Sequence, residues 1–118
     1  FQQIINNPEV RMINRNKGSG TRVLLDLYLE EKKPSGFFQE AKSHNSVAAV
    51  VSQKRADWGF AIQSVAEDLG LGFVPIRDEE FDFIIPKECL QRTEVDRFLS
   101  LLEEKNIRKK LAILGLIT

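Results

Sequence analysis

The sequence predicts an α/β fold: a central, largely parallel sheet flanked by helices. Two observations predict it. Short apolar runs of strand length alternate with segments of helical periodicity, at close spacing. The junctions between them are rich in Gly, Ser, Thr and Asn, the residues of strand-to-helix turns.

Each element follows from a local pattern. VRMINR (10–15) reads as a strand entering the Gly-rich turn NRNKGSGTR (14–22). From Gly20 to Glu31 the apolar positions Val23, Leu24, Leu27 and Tyr28 share one helical face, and Pro34, Ser35 and Gly36 end that helix. FFQEAK (37–42) reads as a short strand. Ser43 or Asn45 caps the next helix, whose apolar face is Val47, Ala48, Val50 and Val51. DWGFAI (57–62) reads as a buried strand. Ser64 and Glu67 match a capping box, and Gly70 fits the position just past a very short helix.

GFVPI (72–76) and FDFIIP (81–86) read as two more strands, separated by the charged connector RDEE (77–80). Thr93 and Asp96 match a second capping pattern. Val95, Phe98, Leu99 and Leu102 then follow helical spacing over about 94–105. Ile107, Leu111 and Leu114 indicate a final helix ending at Gly115. There are no internal repeats and no low-complexity segments.

Composition narrows the function classes. The 118 residues suit one domain or one lobe of a larger protein, and 42% hydrophobic with 29% charged residues is ordinary for a globular chain. Lys plus Arg balances Asp plus Glu at 17 each, which argues against direct nucleic-acid binding. No apolar run approaches the roughly 18 residues of a membrane span. The longest are VAAVV (47–51) and AILGLI (112–117).

Cys89 is the only cysteine and His44 the only histidine, so a metal site built from several His and Cys ligands is ruled out within one chain. The lone cysteine points to a reducing, cytoplasmic compartment. The chain starts at Phe1 without an initiator Met and is expected to be part of a longer protein.

The turns carry the available chemistry. In an open α/β sheet, ligands gather beyond the carboxyl ends of the strands, where helix N-termini present free N–H groups and a positive dipole end. The first turn offers Lys17, Gly18, Ser19, Gly20, Thr21 and Arg22. The second offers Ser43, His44, Asn45 and Ser46, and the third Gln63 and Ser64. Gly18 and Gly20 let a ligand approach the backbone, the Ser19 and Thr21 hydroxyls add donors, and Lys17 or Arg22 adds attraction.

Uncharged donors of this kind suit a fully ionised tetrahedral oxyanion. The plain alternative is a tight turn whose Ser and Thr cap helices. The turn is neither a Walker A loop, since Lys17 precedes the glycines, nor a dinucleotide fingerprint, since Val23 stands where a third Gly is needed. Asp57 reads as a residue that accepts backbone N–H groups, Trp58 as core or cleft wall, Phe37 and Phe38 as packing, and IRKKL (107–111) as a solvated helix face. No constellation for catalysis stands out, and the chain is expected not to be an enzyme.

NRNKGSGTRVLLD (14–26), SHNSVAAVVSQKRADWGF (43–60) and AEDLGLGFVPI (66–76), in this order, resemble the type 2 periplasmic-binding-protein-like domain. The similarity is strongest to the domains fused to molybdopterin biosynthesis proteins or to helix-turn-helix regulators. Molybdate- and tungstate-binding proteins of ABC transporters are more distant kin. FDFIIPKECLQRTEVDRFLSLLEE (81–104) resembles the segment that returns from the second lobe towards the first.

The resemblance implies one α/β lobe over 10–76 and a return segment over 77–118, within a single domain of 1–118. It implies a ligand site made by Ser19, Gly20, Thr21, Ser43, His44, Asn45 and Asp57, with Asp57 near the cleft floor, and the chemistry of the first turn adds Arg22. It implies no cofactor, molybdate or tungstate as candidate ligand, and a role in molybdenum cofactor biosynthesis or its regulation. Handling of a molybdopterin-related ligand, docking to the rest of the parent chain and sensing for a regulator are the alternatives. A lobe without its partner also exposes apolar surface, which favours a homodimer. Two departures stand out. Trp58 replaces a small residue and is expected to narrow the site. Lys54 replaces a Gly and is expected to loosen the turn after the second helix.

Overall fold

A computed structural model of the chain describes residues 1–116. It comprises two units, Phe1–Val74 and Pro75–Thr118.

The first unit is a three-stranded parallel sheet with helices on both faces. Its elements are α1 (Gln2–Asn6), β1 (Met12–Arg15), α2 (Gly20–Leu29), β2 (Glu40–Ala41), α3 (His44–Ser52), β3 (Trp58–Gly59) and α4 (Gln63–Asp68). The strand order is β2-β1-β3. Asn14 pairs with Glu40 and Met12 with Trp58, both in parallel register. This is the α/β arrangement the alternating pattern predicts.

Alternation along β1 builds two cores. Met12 packs with Ile5, Leu25 and Leu29 on the α2 side. Ile13 packs with Ala41, Val47 and Ala56 on the α3 side. Successive strand residues point to opposite faces, so one four-residue strand anchors both helices.

The helical face of α2 differs from expectation. Thr21, Arg22, Leu25 and Leu29 are buried, whereas Val23 and Leu27 are 59% and 69% exposed. Periodicity places Val23 and Leu27 on a common stripe, but two adjacent stripes of this helix are apolar, and the one that meets Met12 carries Leu25 and Leu29. The strands are also shorter than expected. Phe37 and Phe38 lie in a turn, so β2 is only Glu40–Ala41, and β3 is only Trp58–Gly59. GFVPI (72–76) and FDFIIP (81–86) form no ladder among the described residues. Strand-like alternation needs a neighbouring edge to become a strand, and here none is supplied.

Two capping assignments also shift. The residue before α4 is Ile62, with no side-chain cap, and Glu67 accepts from Gln63 at 2.7 Å instead of closing a box with Ser64. Arg92 precedes Thr93–Glu103, so Thr93 is the first helical residue and not the cap. The expected glycine stops do form. Gly70 takes φ +65° and donates to Glu67 O, while Leu71 donates to Ala66 O, the paired bonds of a Schellman ending.

Lys54 forms the same ending with a side chain in place. Its N–H donates to Val51 O and that of Arg55 to Val50 O, both at 3.0 Å, with Lys54 at φ +59°. The turn after α3 is therefore tight, not loosened, and it carries left-handed strain instead. Lys54→Gly is expected to raise stability by about 0.5–1 kcal/mol, the relieved strain less the extra freedom of the unfolded chain. Urea unfolding measures this. An unchanged midpoint would show the αL position to be relaxed.

The second unit holds a 3-10 turn at Lys87–Cys89 and the helices α5 (Thr93–Glu103) and α6 (Lys105–Ile113). Gly115 ends α6 with φ +86° and a third Schellman pair. Phe83 meets Phe98 edge-to-face at 5.0 Å. Phe81, Phe83 and Ile84 nonetheless remain 65%, 66% and 94% exposed. Among the described residues, no helix is long and apolar enough to cross a membrane.

Candidate functional site

Chain order and strand order together define where a ligand would sit. The chain leaves β1 through α2 to reach β2, then crosses through α3 to β3 on the other side of β1. Strand order therefore reverses at β1, and α2 and α3 cover opposite faces. A crevice outside the carboxyl end of such a strand is the usual binding position in open α/β sheets.

Both helices begin at that end, each with a serine cap. Ser19 Oγ accepts from Arg22 N at 3.1 Å, and Ser43 Oγ accepts from Ser46 N at 3.0 Å. Capping is the plain alternative the sequence offers for these serines, and the structure shows them in that task. Ser19 donates its hydroxyl proton to Asn16 O at 3.0 Å, and the Ser43 and Ser46 hydroxyls bond each other at 2.8 Å. The serines thus hold the helix ends in shape, and Ser19 has no proton left for a ligand. First-turn N–H groups have no intrahelical acceptor, so those of Gly20 and Asn45, both exposed, face out of the two helix ends. A Cβ built on Gly18 or Gly20 meets nothing within 4 Å, so the space above the first turn is open. Thr21 is buried in the first turn of α2, and His44 is half-buried at the start of α3.

Two expected site residues are taken up by the scaffold. Arg22 is only 5% exposed. Its Nε bonds Asp26 Oδ1 at 2.9 Å, and its Nη1 bonds Arg15 O at 2.8 Å and Glu40 Oε2 at 3.1 Å. The guanidinium also lies 4.9 Å from the Phe37 ring. It clamps α2 to β1 and β2 and is not offered to a ligand. Asp57 precedes β3 and so lies at the amino end of the parallel sheet. Its Oδ2 accepts from Arg11 N at 2.8 Å while its own N–H donates to Arg11 O at 2.7 Å. That fits the reading as a backbone acceptor and separates it from the two helix N-termini.

Trp58 is likewise remote from that end. It packs near Phe1 at 5.6 Å and Phe60 at 6.4 Å, so it does not narrow the crevice. The Gly of R-A-D-x-G has a packing reason, because a Cβ on Gly59 would lie 2.7 Å from Val47 Cγ1 and 2.9 Å from Ile13 Cγ2. The third turn does not join the site, since α4 is short and Gln63 is bonded to Glu67. A shallow depression of about 500 Å³ lined by Leu29, Lys32, Lys33 and Phe37 lies at the far end of α2. It holds none of the candidate residues. Among the described residues there is no cluster of His, Cys, Asp and Glu able to hold a metal ion.

One residue at the carboxyl end was assigned no role from sequence. Arg15, the last residue of β1, is 8% exposed, with Nη1 3.4 Å from His44 Nδ1. Its signal was the strand alternation itself, which sets a cation in line with Ile13 just before the Gly-rich turn.

The PBP superfamily domain matches residues 1–103. This chain belongs to the PBP superfamily. The PBP-like chain is also similar to the uncharacterized protein YvgK of Bacillus subtilis (strain 168), with 38% identity over 85 residues, covering 68% of this chain and 28% of that protein. It thus spans well under half the length of that relative. No solved structure matches it. Membership in the PBP superfamily points to a substrate-binding type of function, carried by geometry more than by reactive groups.

Proposed function

We propose that this PBP-like chain is a non-catalytic binding domain for a small oxyanion, with molybdate and tungstate the favoured ligands, serving molybdenum cofactor biosynthesis or its regulation. The observation that carries the reading is the pair of serine-capped helix N-termini at the carboxyl end of β1, where strand order reverses. N–H groups aimed out of a helix end, with the dipole behind them, favour negative charge. Ser19, Gly20 and Thr21 form one wall, and Ser43, His44 and Asn45 the other. The preference for molybdate and tungstate rests on the sequence resemblance of NRNKGSGTR, SHNSVAAVV and RADWG to domains of that context.

A thermal-shift titration of the full-length protein with molybdate, tungstate, sulfate, phosphate and a nucleotide tests this. Ligand at a hundredfold excess over its Kd stabilises the native state by about 2.7 kcal/mol. The expected result is a rise in Tm with molybdate or tungstate and a smaller one with sulfate. A flat response to every oxyanion at millimolar concentration would sink the reading.

The exposed Phe81, Phe83 and Ile84 support a second reading, in which the chain docks on the remainder of its parent protein or on a second copy. In that reading the chain is an accessory domain of a molybdopterin enzyme or the sensing lobe of a regulator. Light scattering separates the second copy from the first case, because only self-association doubles the mass.

A further inference from the structure

Arg15 is a buried cation with an incomplete set of partners. Its backbone is fully engaged: its N–H donates to Asn14 Oδ1 at 2.9 Å, and its carbonyl accepts from Arg22 Nη1. The side chain is not. Alternation along β1 turns Arg15 to the same face as Ile13, the face that α3 covers, and the 3.4 Å approach to His44 Nδ1 agrees with this. A guanidinium can only donate and an imidazole carries no negative charge, so that contact brings Arg15 no counter-charge. The Nε atom is buried and has no acceptor at all. Among the described residues no carboxylate pairs with Arg15. Glu40, on the neighbouring strand, is bonded to Arg22 instead.

Burying a guanidinium without an anion is unfavourable unless something else completes it. The last residue of the central strand is also where a ligand at the switch point would sit. We infer that Arg15 is the charged anchor of the ligand site, its guanidinium supplying the positive charge that an anionic oxygen meets beside the N-terminus of α3. This rests on the oxyanion reading above and adds to it. The ligand presents two oxygens in one plane to the guanidinium fork, as a carboxylate or a tetrahedral oxyanion does. The serine hydroxyls shape the site, and Arg15 supplies its charge.

The test uses the full-length protein with Arg15→Gln, Arg15→Met and Arg15→Lys. Each is titrated with molybdate, sulfate, phosphate and acetate, and each is melted without ligand. In wild type at least one of these anions binds. A preference for acetate assigns a carboxylate ligand, and a preference for the other three a tetrahedral one. Gln and Met are expected to weaken binding of that anion by about tenfold to a hundredfold, the loss of one charge-assisted bond. Met is expected to leave the ligand-free Tm unchanged or higher, since it removes an uncompensated charge. A purely structural arginine would instead lower it. If the Met variant does not fold, Lys decides, because it keeps the charge and loses the fork. Weaker binding by about tenfold at an unchanged Tm supports the anchor. Unchanged affinity in Gln or Lys overturns it while leaving the oxyanion site standing. If wild type binds none of the anions, both readings fall together.

Discussion

Gly36→Ala is expected to unfold this domain or to lower its stability by at least about 3 kcal/mol. Gly36 holds φ +86°, and a Cβ there would lie 2.0 Å from Met12 O, 2.8 Å from Arg11 Cγ and 3.0 Å from Met12 C. The left-handed backbone alone accounts for about 1–2 kcal/mol. The clash is the larger part, because its target is the backbone of the central strand and cannot swing aside. Relief requires the turn at 34–39 to lift off β1. That would stretch the bonds from Met12 N to Ser35 O, Asn14 N to Gln39 O and Asn14 Nδ2 to Phe37 O. For a domain of this size, a loss of about 3 kcal/mol lowers Tm by at least about 12 °C. Gly18→Ala is the control: it has a similar φ of +90° with open space around its Cβ, and should lose only the backbone part. If the two variants melted alike, the close approach at Gly36 would be wrong.

The sequence announces its turns more clearly than its strands, and the reason is physical. A glycine or serine at a helix end acts through bonds to residues three or four positions away, so Ser19, Ser43, Gly70 and Gly115 could be placed from local pattern alone. A strand is defined by its neighbour. VRMINR became β1 because edges formed on both sides of it, whereas FDFIIP has equal strand character and no ladder among the described residues. Charge was the least legible feature. Arg15 and Arg22 occur in one turn motif, and strand alternation places Arg15 in line with Ile13 without showing which of the two meets a carboxylate. Glu40, eighteen residues after Arg22, pairs with it across the sheet and leaves Arg15 without a carboxylate among the described residues. Which arginine is held by carboxylates and which is not is decided by register, which becomes visible only once the sheet is formed. The same holds for Asp57, whose partner Arg11 lies forty-six residues away.

Arg22 provides the sharpest check on that division. Arg22→Ala is expected to lower stability by about 2–3 kcal/mol. It removes three bonds from a side chain that is 6% exposed, and it strips the cover from Arg15 O. The partners moderate the loss. Asp26 and Glu40 are 51% and 38% exposed, so water screens the pairs and rehydrates the carboxylates that remain. Arg22→Lys should recover less than half, because an ammonium cannot span Asp26, Arg15 O and Glu40 from one plane. Anion affinity, measured well below the melting point where the variant is fully folded, should stay within about threefold of wild type. The opposite pattern, a normal melt with lost affinity, would return Arg22 to the ligand site and make its bonds to Asp26 and Glu40 a resting arrangement that the ligand displaces. Arg15 and Arg22 thus predict mirror-image results: one variant loses ligand and keeps its fold, and the other loses stability and keeps its ligand. A domain in which both behaved alike would have no separation between scaffold and site at the end of β1.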